Sequence, residues 1–322
     1  MQSNIIQIES KIDEIREVKI HKNTPQCPLI YEVVPVIGCE FQCTYCNALG
    51  QEEEEKFLPV RIDMNYPAFL RGEIKKHQSL GSNPMYYYSP KTDCFQKPLL
   101  DSGITEEIIR VFREMDCNYI IVTKGVPTES VYDEMLKSKD KCQVILTYGM
   151  PDDNLRKLIE PMSSSNEERL IFAQKCVDDG IQVAAIVEPI LPLNDLSFVR
   201  DIMQKFVKIG VNHFAVDFAR ITQNCFHKLV KAIPEYEAEL RNNYLSENCN
   251  RQIFKTASGV NVERYSPSKE YMLSKFNEFK ETAKTWDCTV SICNSFGFDG
   301  FNDEAVKRGY ICMGINIDKF VK

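Results

Sequence analysis

The sequence predicts an α/β chain folded as a partial (β/α)6, TIM-like barrel with a C-terminal extension. Three observations predict it. Six strand-like runs alternate with helical ones, no glycine-rich dinucleotide fingerprint is present, and polar side chains gather where the strands end. Strands separated by crossover helices argue for a parallel sheet, and the missing fingerprint favours a barrel over a doubly wound sheet.

The strand-like runs are YEVVPVIG (31–38), MYYYSP (85–90), YIIVTKG (119–125), QVILTYGM (143–150), QVAAIVEPI (182–190) and HFAVDFAR (213–220). Helical spacing of apolar residues marks 104–115, 168–180, which stops at Gly180, and 195–210. Beyond 220 the character changes. FHKLVKAIPEYEAELRNNYL reads as one helix, a polar segment follows near Asn248 to Arg251, 269–286 reads as another helix, and CTVSICN reads as a short strand. The expected organisation is an N-terminal extension (1–30), a barrel core (31–220) and a helical and short-strand extension (221–322) covering the barrel mouth. At 322 residues the chain is long enough for a large core.

The formal net charge is −7, without the basic domain or stripe of a nucleic-acid binder, so duplex DNA is not the expected partner. No apolar run reaches membrane-span length and no signal peptide is evident, so a cytoplasmic protein without membrane contact is expected. QEEEEK (51–56) reads as a solvated loop or helix end. The 13 cysteines are odd in number and cannot all pair internally. Cys142 and Cys176 lie in apolar segments and read as small buried hydrophobes.

Cys39, Cys43 and Cys46 stand apart, in GCEFQCTYCNA directly after the first strand. Thiolates at this spacing suit three corners of a [4Fe-4S] cube and leave one iron open. Structural zinc normally wants four ligands, and unliganded core cysteines are the third reading. Gly38 suits a tight turn, and Phe41 and Tyr45 can shield the site from water. At the other strand ends lie Ser89 to Asp93, Lys124, Glu188 and Arg220. Such a rim is what an active face would produce, although loop starts are polar in any fold. Tyr88 and Tyr148 either line the cavity or pack in the sheet. His213 and His227 read as structural or surface residues.

The CxxxCxxC spacing with an aromatic before the last cysteine resembles the signature of the radical S-adenosylmethionine (SAM) superfamily. NPMYYYSPKTDCFQKP, YIIVTKG and LRKLIEPMSSSNEERLIFAQKCVDDGIQVAAIVEPILPL resemble, in order, segments of its spore photoproduct lyase-like branch, over about residues 30–220. The resemblance includes an EP…S…xxR stretch, here Glu160, Pro161, Ser163 to Ser165 and Arg169. It implies a [4Fe-4S] cluster on Cys39, Cys43 and Cys46, and SAM on the open iron. Ser89, Thr92, Asp93, Lys124, Glu188 and Arg220 are the candidate SAM or substrate contacts, and Tyr88, Lys124 and Cys94 the candidate catalytic residues.

The implied reaction is reductive SAM cleavage to a 5′-deoxyadenosyl radical that abstracts hydrogen from a small-molecule or nucleotide substrate. The electron donor would be a low-potential protein such as flavodoxin or ferredoxin. Alternatives are a nucleic-acid lesion repair lyase, a peptide-modifying enzyme and a non-enzymatic redox sensor. True lyases of the branch carry an aromatic after the third cluster cysteine, where Asn47 stands here. They also carry a hydrogen-donating cysteine where Pro90 stands, and Cys94 is the nearest substitute. Cys288, Cys293 and Cys312 raise a second-cluster reading, weakened because Cys288 and Cys293 would face opposite sides of an ideal strand.

Overall fold

The computed structural model describes residues 5–8, 19–20, 30–46, 59–81, 84–193, 198–255, 261–293, 302–311 and 313–316. Asn47, Cys312 and the run 51–56 lie outside them. Seven parallel strands form the main sheet: β1 (Ile30–Val33), β2 (Met85–Tyr88), β3 (Asn118–Thr123), β4 (Cys142–Thr147), β5 (Gln182–Ile190), β6 (His213–Phe218) and β7 (Thr289–Ile292). They neighbour one another in chain order, and the short strand Lys19–Ile20 adds antiparallel to the β1 edge. This is the open, partial barrel that the sequence predicts, with one strand more than the six units it shows. The seventh comes from beyond residue 220 and pairs in parallel with β6.

Crossovers carry α1 (Tyr66–Ser79), α2 (Ile104–Glu114), α3 (Glu129–Lys137), α4 (Asp153–Ile159) with α5 (Asn166–Asp178), α6 (Phe198–Lys208), and after β6 α7 (Gln223–Ala232), α8 (Glu237–Tyr244) and α9 (Lys269–Lys284). Successive strand side chains alternate between two apolar layers. Tyr86, Tyr88, Tyr119, Val144 and Phe214 face the helices. Ile30, Met85, Tyr87, Ile120, Ile145, Ala184, Ile186 and Ala215 fill the barrel interior. Among the described residues no helix is long and apolar enough to cross a membrane.

Proline explains two departures from expectation. The run 31–38 is not one strand: β1 ends at Val33, and Val36–Ile37 leaves to pair antiparallel with Val60–Asp63, which also pairs with Ile5–Ile8. Pro35 sits at the break and has no N–H to continue a ladder. The helix expected over 226–245 is likewise interrupted by a 3-10 turn at Pro234–Tyr236. The polar segment near 250 opens a hairpin, Asn250–Lys255 with Asn261–Ser266. A bridge between Ile221 and Tyr265 ties it to the body, with both N–H to O contacts at 2.8 Å.

The expected cover over the mouth needs correction for the last described residues. The small hairpin Tyr310–Ile311 with Ile315–Asn316 enters the opposite, N-terminal end of the barrel. Ile311 and Ile315 join the interior layer. Gln143, early in β4, donates to Gly314 O at 2.8 Å and accepts from Asn316 N at 3.0 Å. At the start of β6, His213 stacks on Tyr310 with ring centroids 4.1 Å apart. Its two ring nitrogens hydrogen-bond the Thr289 and Ser291 hydroxyls at 2.7 and 3.0 Å, so a neutral imidazole is satisfied in either tautomer. His213 is therefore a floor residue.

Candidate functional site

The cysteine loop leaves the barrel just beyond β1 and is held at both ends. At its start, Gly38 adopts φ of 100°, Gln96 donates to Gly38 O at 3.4 Å, and Glu40 N donates to Gln96 Oε1 at 2.9 Å. At its end, Thr44 N donates to Ile159 O at 2.9 Å and the Tyr45 hydroxyl donates to the Glu160 carboxylate. Cys46 N closes a turn on Cys43 O at 3.0 Å. Phe41 and Tyr45 are buried beside the thiols.

Burial pushes the Cys39 thiol up to about 12, with Asp93 and Cys46 adding and Lys124 opposing. Cys43 is raised further, by burial first, then by Glu160, again against Lys124. Burial thus raises the Cys39 and Cys43 thiols, and the Lys124 cation opposes it at both. Among the described residues no three His, Cys, Asp or Glu side chains converge on a single-ion position.

Lys124 follows β3. Its backbone N–H donates to Asp93 Oδ2 at 2.7 Å, and Asp93 also accepts from Thr123 Oγ1 at 2.8 and 3.0 Å and from Phe95 N at 2.9 Å. Asp93 is thus saturated by protein donors and acts by fixing the Lys124 backbone. The Lys124 ammonium lies 5.8 Å from the Tyr45 ring centroid. Burial pulls its pKa down, but Glu188, Glu160 and Cys43 outweigh this, and the group stays charged.

Glu188 stands at the end of β5 and is packed from behind by Gly149, where a Cβ would meet Glu188 O at 2.4 Å. Arg220 pairs with Asp217 at 3.1 Å beyond β6. Burial pushes Asp217 up to about 7, with Arg220 opposing and Glu188 adding. Glu188 and Cys293, just past β7, bear electrostatically on Arg220. Near β2, the Ser89 and Thr92 hydroxyl oxygens are buried with no hydrogen-bond partner, and Ser89 is held at φ of 56°.

The structure therefore gathers Cys39, Cys43, Cys46, Lys124, Glu188 and Arg220 at one end of the barrel, with Ser89, Thr92 and Asp93 on the adjoining loop. It does not bring Tyr88 and Cys94 there. Tyr88 OH donates to Thr105 Oγ1 at 3.2 Å in the helix-facing layer. Cys94 is fully buried in the same layer, and its carbonyl accepts from Thr105 at 2.7 Å. Tyr148 also packs there, against Phe206 at 5.4 Å. His227 is exposed on α7. Cys288 precedes β7 and Cys293 follows it, about 16 Å along an extended chain, so a shared cluster does not fit that pair.

Sequence reasoning missed Asp217 and Gln96. The i,i+3 spacing of Asp217 and Arg220 at a strand end was the available signal. Gln96 gave none, because its role comes from long-range contacts.

No family model matches the chain. An uncharacterized protein of Methanocaldococcus jannaschii is 26% identical over 245 residues, covering 74% of this chain and 86% of the relative. Spore photoproduct lyase complexed with dinucleoside spore photoproduct superposes with a TM-score of 0.67 at 13% identity, covering 89% of this chain and 81% of the lyase. A variant of that lyase with bound AdoMet and the same dinucleoside gives 0.62 at 16% identity, covering 85% and 78%. The chain has the fold of spore photoproduct lyase, a partial (β/α) barrel with added elements.

Proposed function

We propose that this chain is a radical SAM enzyme acting on a nucleotide-type substrate, with repair of a nucleic-acid lesion as its first candidate reaction. The observation that carries the proposal is the loop holding Cys39, Cys43 and Cys46 beyond the C-terminal end of the first parallel strand, with the charge of Lys124 bearing on Cys39 and Cys43. The donor chemistry fits a [4Fe-4S] cluster on Cys39, Cys43 and Cys46: three soft thiol ligands carried by one short loop. The unpartnered Ser89 and Thr92 hydroxyls and the Lys124 ammonium fit the polar groups of SAM. When bound, the two groups supply reductive cleavage of SAM and a carbon-centred radical for hydrogen abstraction.

The chain's own residues then have distinct tasks. Lys124, held by Asp93 through its backbone, offers a cation to a carboxylate. Glu188 offers a hydrogen-bond acceptor to hydroxyl or amino groups. Asp217 and Arg220 shape the substrate side. Phe41 and Tyr45 keep water from the thiols. The likeness to lyases holding a dinucleoside favours lesion repair over an open-ended small-molecule substrate. Pro90 and the buried Cys94 imply that hydrogen returns to the substrate by another route than in those lyases. A low-potential flavodoxin or ferredoxin would supply the electron, and the cytoplasm is the proposed compartment.

The test is anaerobic reconstitution with iron and sulfide, then SAM and dithionite, assaying 5′-deoxyadenosine against Cys43→Ala. Cluster-dependent product is expected, followed by deuterium transfer when dinucleotide lesions and free nucleotides are screened. A well-formed cluster that neither binds nor cleaves SAM with these substrates present would overturn the proposal.

A further inference from the structure

The EP…S…xxR stretch has no part in the chemistry above, yet it holds the most deeply buried ion pair among the described residues. Arg169 Nη2 meets Glu160 Oε2 at 2.7 Å, with both side chains almost fully buried. Every arm of the guanidinium is used. Nε donates to Ser164 O at 3.0 Å, Nη1 to Thr147 O at 3.0 Å, and Nη2 also to Ser163 Oγ at 2.6 Å. Ser165 and Glu168 form a capping box that starts α5 and fixes where Arg169 begins. The other carboxylate oxygen of Glu160 accepts from the Tyr45 hydroxyl, and the neighbouring Ile159 O accepts from Thr44 N.

Residues 159 and 160 therefore grip residues 44 and 45, the two that separate Cys43 from Cys46. A buried ion pair adds little to stability compared with an apolar replacement, so its cost calls for another role. We infer that Glu160 and Arg169 are positioning residues for the cysteine loop: Glu160 anchors Tyr45, and the pair sets the net charge beside Cys43. This rests on reading the loop as a cluster site.

Burial pushes the Glu160 carboxyl up, but Arg169, Lys124 and the Tyr45 hydroxyl outweigh it and hold it ionised. Its charge also bears on Cys43. A fixed negative charge at that place makes adding an electron to the cluster harder, and Arg169 offsets part of it.

Three variants separate anchoring from charge. Glu160→Gln keeps an acceptor for Tyr45 and removes the charge. Glu160→Gln with Arg169→Gln removes both charges. Tyr45→Phe keeps both charges and removes the anchor. Each is reconstituted, assayed for iron and sulfide per chain, and titrated by EPR without SAM. The single Gln variant should favour the reduced cluster about tenfold, an upward shift of about 59 mV for one electron. The double variant should return toward the wild-type potential. Tyr45→Phe should keep the wild-type potential and lose about half its iron. A Glu160→Gln cluster at the wild-type potential, or a Tyr45→Phe chain with full iron content, overturns the inference. If Glu160→Gln does not fold, the Tyr45→Phe result decides. A wild-type chain that assembles no cluster sinks the functional reading itself, and this inference with it.

Discussion

Acidification should loosen the barrel floor through His213. Burial lowers this imidazole from 6.5 to about 3. An unfolded chain titrates it near 6.5, so at pH 5 the unfolded state carries a proton that the folded state refuses. The folded pKa is depressed, and for this base stability is present above 6.5 and lost as pH falls below it. At pH 5 the medium is 1.5 pH units below the unfolded value. At about 1.36 kcal/mol per unit, the loss is about 2 kcal/mol. The physical cause is local: a charged ring would sit buried between the Thr289 and Ser291 hydroxyls and the face of Tyr310. Asp217 acts with the opposite sign. Its raised carboxyl costs stability as pH rises from 3.8 through about 7, so it favours the fold on acidification. The control is His213→Gln, which retains a hydrogen-bonding side chain without a titrating group. From pH 7.5 to 5 the native chain should lose about 2 kcal/mol relative to His213→Gln, read from urea midpoints, because the Asp217 contribution is common to both. Parallel curves for the two proteins would refute the reasoning.

Three further expectations follow from named contacts. Gly149→Ala places a methyl 2.4 Å from Glu188 O and should destabilise by roughly 1–3 kcal/mol, read as a lowered melting temperature. Gln143→Ala removes both hydrogen bonds to the floor hairpin and should cost about 2 kcal/mol, with faster proteolytic nicking within 302–316. In the proposed SAM cleavage, Asp217→Asn should erase an ionisation near pH 7 from the pH profile, because the native carboxyl loses its proton there and the amide has none to lose.

The sheet was legible because its strands are continuous apolar runs, such as QVILTYGM and QVAAIVEPI, separated by helices of clear period. That Cys39, Cys43 and Cys46 share one loop beyond the first strand was legible because they are neighbours in the chain. Roles that depend on distant residues were not. Tyr88 and Cys94 flank the loop that carries Thr92 and Asp93, and sequence proximity suggested a shared task. Strand alternation turns Tyr88 toward the helices, and Thr105 holds both residues there. Asp93 read as a ligand contact, whereas its oxygens are spent on residues 30 and 31 positions away. The extension over 221–322 was expected to cover the mouth, but its last described residues close the floor. Its partners, Gln143 and His213, are 171 and about 100 residues upstream, beyond any local signal.

The floor hairpin also sets an order of events during synthesis. Residues 310–316 follow all seven strands in the chain, so the interior layer around Ile145 and Ala184 stays open to water until they have left the ribosome. Closing a contact across 171 residues is slow compared with forming the neighbouring strand–helix units. A nascent chain would therefore present a sticky, bottomless cylinder for seconds, at synthesis rates of about 5–20 residues per second. Chaperone capture is most useful in that interval, and a mutation in the hairpin would register as low yield before any loss of chemistry.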